Sequence, residues 1–202
     1  MSNPIPLHPG QYYHIYNRGN NRENVFREER NYPYFLKLYA KYIEPIAETY
    51  AYCLLRNHFH FLVRIKDEKD LTGFQNLSSL NPSGLSQPFS NLFNAYARAF
   101  NKAYQRTGAL FQRPFGRIHV ASNAHLIQLV TYIHQNPQKH GFVTDFRDWP
   151  YTSYHALLSR QPTRLKRDEV LTWFEGAKHF ADTHRQTIDE QQMAALAPDD
   201  YT

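Results

Sequence analysis

Two short apolar runs, residues 49–55 (T-Y-A-Y-C-L-L) and 58–65 (H-F-H-F-L-V-R-I), are separated only by Arg56 and Asn57. Runs of this length, rich in aromatic and β-branched residues and joined by two polar ones, specify an antiparallel hairpin. The second run alternates, with Phe59, Phe61, Val63 and Ile65 on one face and His58, His60, Leu62 and Arg64 on the other. The phenylalanine face is expected to pack on helices, leaving the histidines on the face opposite the core. An isolated hairpin is marginal in water, so the rest of the chain must add strands and a helical layer.

Residues 11–17 (Q-Y-Y-H-I-Y-N) supply the expected first strand, with a turn at 18–21. Between 31 and 46, Tyr32, Phe35, Leu36, Tyr39, Tyr42, Ile43 and Ile46 recur at helical spacing. A loop over 78–88 precedes a second helix marked by Phe89, Leu92, Phe93, Tyr96, Phe100 and Ala103, and 110–120 reads as irregular chain followed by a strand. Ser122 caps a third helix, whose apolar stripe is Leu126, Leu129, Val130 and Ile133. Gln128, Tyr132 and Asn136 lie on another face at steps of four, and Pro137 is expected to end the helix near residue 135. Two more helices are expected at about 168–175 and 177–191, before a frayed tail. This order predicts an α+β fold, one antiparallel sheet with helices packed on one face over residues 1–158, followed by a polar, mostly helical C-terminal extension over 159–202.

Charge is distributed unevenly. The 202-residue chain carries a net +5, but residues 1–70 hold 10 Lys/Arg and 8 Asp/Glu, residues 71–144 hold 6 and 0, and residues 145–202 hold 7 and 10. A basic, acid-free stretch of this length points to a surface that meets polyanion. It also requires that any chemistry within 71–144 use His, Tyr, Asn or Gln. The single cysteine, Cys53, excludes an internal disulfide framework and a multi-cysteine zinc site. The start lacks the charged and apolar regions of a signal peptide, and no apolar run approaches the roughly 18 residues of a membrane helix. A cytoplasmic protein is expected.

Two imidazoles at i and i+2 of a strand point the same way, so His58 and His60 can share one divalent cation if an oxygen donor completes the shell. A His-x-His pair alone is equally a surface or hydrogen-bonding pair. Tyr132, on a polar helix face in the acid-free region, could attack a phosphodiester, or it could be one more ring at the edge of the core. Asn136, one turn later, could be the oxygen ligand, or simply the residue that ends a helix before proline.

These residues match a family pattern. The run 52–63 (Y-C-L-L-R-N-H-F-H-F-L-V) resembles the HUH motif, His, bulky apolar, His, of single-tyrosine transposases, and 132–141 (Y-I-H-Q-N-P-Q-K-H-G) resembles their tyrosine helix. The pattern Y-I-x-x-N-P-x-x-x-G followed by W-P-x-S/T-S, here within 148–154 (D-W-P-Y-T-S-Y), resembles that of the REP-associated tyrosine transposases. Residues 17–20 (N-R-G-N) and 110–113 (L-F-Q-R) also resemble family segments, so the likeness spans 11–158.

The resemblance implies a ferredoxin-like or RRM-like HUH fold. It implies that His58 and His60 bind Mg²⁺ or Mn²⁺ with Asn136 as third ligand, Gln128 or Gln135 being the alternatives. Tyr132 would be the nucleophile of a 5′-phosphotyrosine intermediate in DNA transposition. The implied partner is single-stranded DNA with a REP-like hairpin, bound by a monomer or a homodimer associated with the nucleoid. Arg18, Arg22, Arg98, Lys102, Arg106, Arg113 and Arg117 are candidate phosphate contacts, with Phe111 and Phe115 as candidate base-stacking rings; each could equally be a solvated arginine or a core phenylalanine. The acidic extension is expected to pack over the DNA surface or compete for it. Two other readings remain: a non-catalytic single-strand or hairpin binder, and a zinc hydrolase or histidine-based RNA nuclease that would leave no protein adduct.

Overall fold

A computed structural model describes residues 5–71 and 84–186. Four strands, β1 (Tyr12–Arg18), β2 (Ala47–Leu54), β3 (His58–Ile65) and β4 (Gly116–Val120), form one sheet in the order β2-β3-β1-β4. Every neighbouring pair is antiparallel. The helices α1 (Asn31–Tyr42) and α2 (Gln87–Ala103) connect β1 to β2 and β3 to β4. This βαββαβ succession in an antiparallel sheet is the ferredoxin-like arrangement. The hairpin closes where the alternation requires it, with Leu55 N–H donating to His58 O at 2.8 Å. The first helix stops at Tyr42 rather than 46, ahead of Pro45, which has no amide hydrogen to continue it, and a turn closed by Ile46 and Ala47 N–H on Ile43 O leads into β2.

The face bearing Phe59 and Phe61 holds the main aromatic core. Phe35 and Tyr39 of α1 meet those rings at centroid distances of 5.1 and 4.3 Å, and Phe93 of α2 meets Phe59 at 5.5 Å. Phe111 and Phe115, candidates for stacking on bases, belong to this core instead. Both are buried, Phe111 against Phe59, Phe93 and Tyr96, and Phe115 against Phe89 and Phe93. Their apolar rings gain more from this cluster than from water, and only a small part of each borders the groove between α2 and residues 108–117.

The histidine face is covered as well, which corrects the expectation of helices on one face only. α3 (Asn123–Lys139) lies across it, and His14, His58, His60 and Leu62 are all buried there. Ser122 caps α3 by accepting from His125 N–H. The helix does not end at residue 135 but runs through Pro137. It is closed by Phe142 N–H to Pro137 O and Gly141 N–H to Gln138 O, with Gly141 at φ +69°. That pair of bonds around a left-handed glycine is a Schellman stop, and it adds one more turn to the polar face of the helix.

The described part of the C-terminal extension is built onto this layer. After α4 (Tyr154–Leu158), which falls within residues 1–158, the extension contributes α5 (Arg167–Trp173) and α6 (Ala177–Thr183). Trp173 stacks on Tyr50 at 5.0 Å, Tyr50 donates to Glu169, and Lys166 pairs with Glu48. The expected loop over 78–83 and the end of the expected helix beyond residue 186 lie outside the described residues.

A buried relay ties the extension to α3. His184 Nδ1–H donates to Phe180 O, so its Nε2 accepts from His134 Nδ1–H at 2.8 Å, and His134 Nε2 in turn accepts from Ser153 Oγ at 2.7 Å. Burial lowers the His184 pKa to about 4, the largest contribution, while hydrogen bonds to backbone carbonyls oppose it. The folded pKa is below the unfolded value near 6.5, so the neutral relay stabilises the fold above about pH 6.5 and that contribution is lost as pH falls toward 4. The loss amounts to roughly 3 kcal/mol for this one group. Calorimetric melts between pH 7.5 and 4.5 are expected to show a fall in Tm that His184→Gln flattens; an unchanged slope would contradict the assignment.

Candidate active site

Four residues of α3 at steps of four, Gln128, Tyr132, Asn136 and His140, fall along one side of the helix and its C-cap. That side faces β3. The Tyr132 ring meets His60 edge-on at 5.7 Å, Asn136 Oδ1 lies 3.4 Å from His58 Nε2, and the His140 ring meets His58 at 4.9 Å. The structure therefore brings together Tyr132, Asn136, His58 and His60, which are 72 or more residues apart between the two motifs. Tyr132 is not on an exposed polar face. It is 2% exposed, and Lys139 Nζ lies 5.2 Å from its ring centroid. Gln135 points away, its amide donating to the carbonyls of His184 and Gln186 at 2.7 and 2.9 Å. It is thus excluded as a substitute for Asn136. Gln128, half-buried one turn before Tyr132, stays on the correct side.

Each histidine is oriented by a neighbour. His58 Nδ1 and Asn57 Oδ1 are 2.7 Å apart, and His60 Nδ1 and His14 Nε2 are 2.9 Å apart. Burial pushes the pKa of His60 well below its ordinary value, with smaller contributions from His14, His140, Arg18 and Lys139. Burial, then Lys139 and Arg18, lower that of His140 to about 4. Both rings are neutral at pH 7, the form in which imidazole binds a cation.

The donor set suits a divalent cation. Ligands at about 2.1 Å around an octahedral ion stand about 3 Å apart, close to the 3.4 Å between His58 Nε2 and Asn136 Oδ1. Asn136 is fully buried, and its Nδ2 has no hydrogen-bond partner among the described residues. A buried amide N–H without a partner costs about 1–3 kcal/mol, and as a donor it calls for an acceptor, leaving Oδ1 as the atom able to face a cation. No group of three or more His, Cys, Asp or Glu among the described residues converges to hold an ion. The amide oxygen that lies within reach of His58 is that of Asn136.

A narrow cleft lined by Tyr16, Arg18, His58, His60 and Gly116 opens at this end of the sheet. Gly116 is required there, because a Cβ would lie 2.1 Å from the Tyr16 ring, which packs against His14 at 4.9 Å. Through Asn17, Gln112 and Pro114 the cleft shares its wall with a larger groove of about 680 Å³ between α2 and residues 108–117. Arg98, Arg113 and Arg117 line that groove. Arg117 is half-buried, with its guanidinium 3.9 Å from the centroid of Phe115 and bonded to Ser86. Its Nε finds no hydrogen-bond partner and no carboxylate pairs with it among the described residues. Burial lowers its pKa to about 10, so it stays charged at neutral pH.

The other cations behave differently. Arg106 is spent inside the protein, on Glu23 at 2.6 Å and on the carbonyls of Gly108 and Ala109, which removes it from the phosphate contacts. Arg22 and Lys102 are exposed and line neither the cleft nor the groove.

No protein-family model matches the chain. A Haemophilus influenzae (strain Rd) protein provisionally named a REP-associated tyrosine transposase is 32% identical over 110 residues, covering 54% of this chain and 59% of that protein. A solved structure of a REP-associated tyrosine transposase bound to a REP hairpin superposes with a TM-score of 0.55 over 80% of this chain and 88% of the other. This chain is thus similar to REP-associated tyrosine transposases, in sequence to the first over 110 residues and in fold to the second. The solved REP-associated tyrosine transposase is 19% identical, so it bears on the fold alone, and the chain spans 59% of the length of the curated relative. No helix among the described residues is long and apolar enough to cross a membrane.

Two further histidines, His140 and His14, complete the site without a sequence motif that marks them. His140 continues the series that starts at Gln128, a signal hidden by the assumption that Pro137 ends the helix. His14 shares a face with Tyr16 on β1, and only the pairing of β1 with β3 brings it to His60.

Proposed function

We propose that this chain is a divalent-cation-dependent nuclease and strand transferase for single-stranded DNA, working through a covalent tyrosine adduct on hairpin-bearing DNA. The observation that carries this reading is the convergence of Tyr132 and Asn136 of α3 on His58 and His60 of β3. When bound by His58, His60 and Asn136, the cation supplies a positive charge that polarises the scissile phosphate and favours departure of the 3′ oxygen. Tyr132 Oη attacks phosphorus as the bond to the 3′ oxygen breaks, which gives a 5′-phosphotyrosine and a free 3′-hydroxyl. The phenol loses a proton and the departing oxygen gains one, so the step needs no net proton. The phosphotyrosine keeps the ester, and attack by another 3′-hydroxyl rejoins the strand without ATP.

The groove beside the cleft suits the strand that leads to the scissile phosphate. No Asp or Glu lines this groove beside its arginines. Arg117→Met is expected to reduce the slope of log affinity against log salt by about one for oligonucleotides with a single-stranded flank. Fluorescence anisotropy across a salt series checks this, and an unchanged slope counts against the groove.

Burial of Tyr132 favours one second reading, a relative that binds hairpin DNA without cutting it. The two separate on a denaturing gel, because only the enzyme leaves DNA attached to protein. Hairpin binding with no nicking in Mn²⁺ would select the binder.

A further inference from the structure

His60 can reach a cation through only one nitrogen. Its Nδ1 is 2.9 Å from His14 Nε2, between rings that are 1% and 0% exposed and stacked at a centroid distance of 5.1 Å and 24°. The two residues sit diagonally across the β1–β3 ladder, where Tyr16 is opposite His60 and His14 is opposite Leu62. Two neutral imidazoles sharing one hydrogen bond have two proton arrangements. If His14 donates, the proton of His60 is on Nε2 and that nitrogen cannot ligate. If His60 donates from Nδ1, Nε2 presents its lone pair on the side of Tyr132 and His58.

We infer that His14 is a positioning residue that accepts the Nδ1 proton of His60 and thereby fixes the tautomer able to bind the cation. The inference rests on the metal site proposed above. Partners of this kind set ring orientation and raise the basicity of the ligating nitrogen. The place of His14 is itself fixed by packing. It lies on a central strand, flanked by Tyr16, whose ring occupies the space that Gly116 leaves open.

The test compares Mn²⁺ binding to the full chain by titration calorimetry, without DNA, for wild type, His14→Leu and His14→Gln. Leucine removes the acceptor, whereas the glutamine carbonyl can reach about as far as Nε2. His14→Leu is expected to weaken Mn²⁺ binding about 10- to 100-fold, the range for loss of such a partner. His14→Gln is expected to recover most of it. Wild-type affinity in His14→Leu would overturn the inference, as would equal weakening in both variants. Should His14→Leu fail to fold, ¹⁵N-resolved histidine spectra of the Mg²⁺-loaded wild type decide. A His60 proton on Nδ1 supports the inference and one on Nε2 overturns it. A wild-type chain that takes up no cation would instead defeat the metal site itself.

Discussion

Tyr132→Phe is expected to lower strand cleavage by at least about 10³-fold while leaving hairpin binding within about twofold. The reasoning is geometric. The substitution removes one oxygen from a ring that is already packed between His60 and Lys139, so the fold and the groove are left intact. Tyr16, which also lines the cleft, packs at a tilt against His14 and stacks on His60, and Tyr16→Phe is the matching control. The check is single-turnover cleavage beside an anisotropy titration on the same oligonucleotide. Retained cleavage would assign the nucleophile elsewhere, and lost binding would make Tyr132 a structural residue.

The second large effect concerns the histidine pair. His58→Ala is expected to cost about 10²-fold or more in Mn²⁺-stimulated cleavage, and chelation of the cation is expected to reduce the wild type to the same level. Hairpin binding should survive both treatments, because Arg98, Arg113 and Arg117 lie in the groove rather than among the candidate ligands. Cleavage that persists in excess chelator would contradict the proposed donor set.

Much of this was readable from residue periodicity. The alternation of β3 gave its boundaries and placed both histidines on one side, and steps of four on α3 grouped Tyr132 with Asn136. Periodicity says which residues share a face but not what covers that face. The histidine side therefore read as opposite the core, although α3 encloses it. Alternation of Phe111 and Phe115 with Arg113 and Arg117 has the look of a nucleic-acid surface. Here the same spacing sends rings inward and guanidiniums to a groove. By local pattern Arg106 is equivalent to its basic neighbours, but Glu23, 83 residues earlier, pairs with it. His14 and His184 depend on contacts across 46 and 50 residues, and no local pattern reports such pairs.

The central claim is a covalent bond between Tyr132 and the 5′ phosphate of the cut strand. It is tested most directly by incubating the wild-type chain with Mn²⁺ and hairpin DNA labelled at one end or the other, followed by a denaturing gel and peptide mapping. The account predicts that the 3′-end label moves with the protein and maps to the peptide bearing Tyr132, while the 5′-end label leaves on a fragment ending in a free hydroxyl. Cleavage with both labels free of protein, or a label carried by another residue, would contradict it.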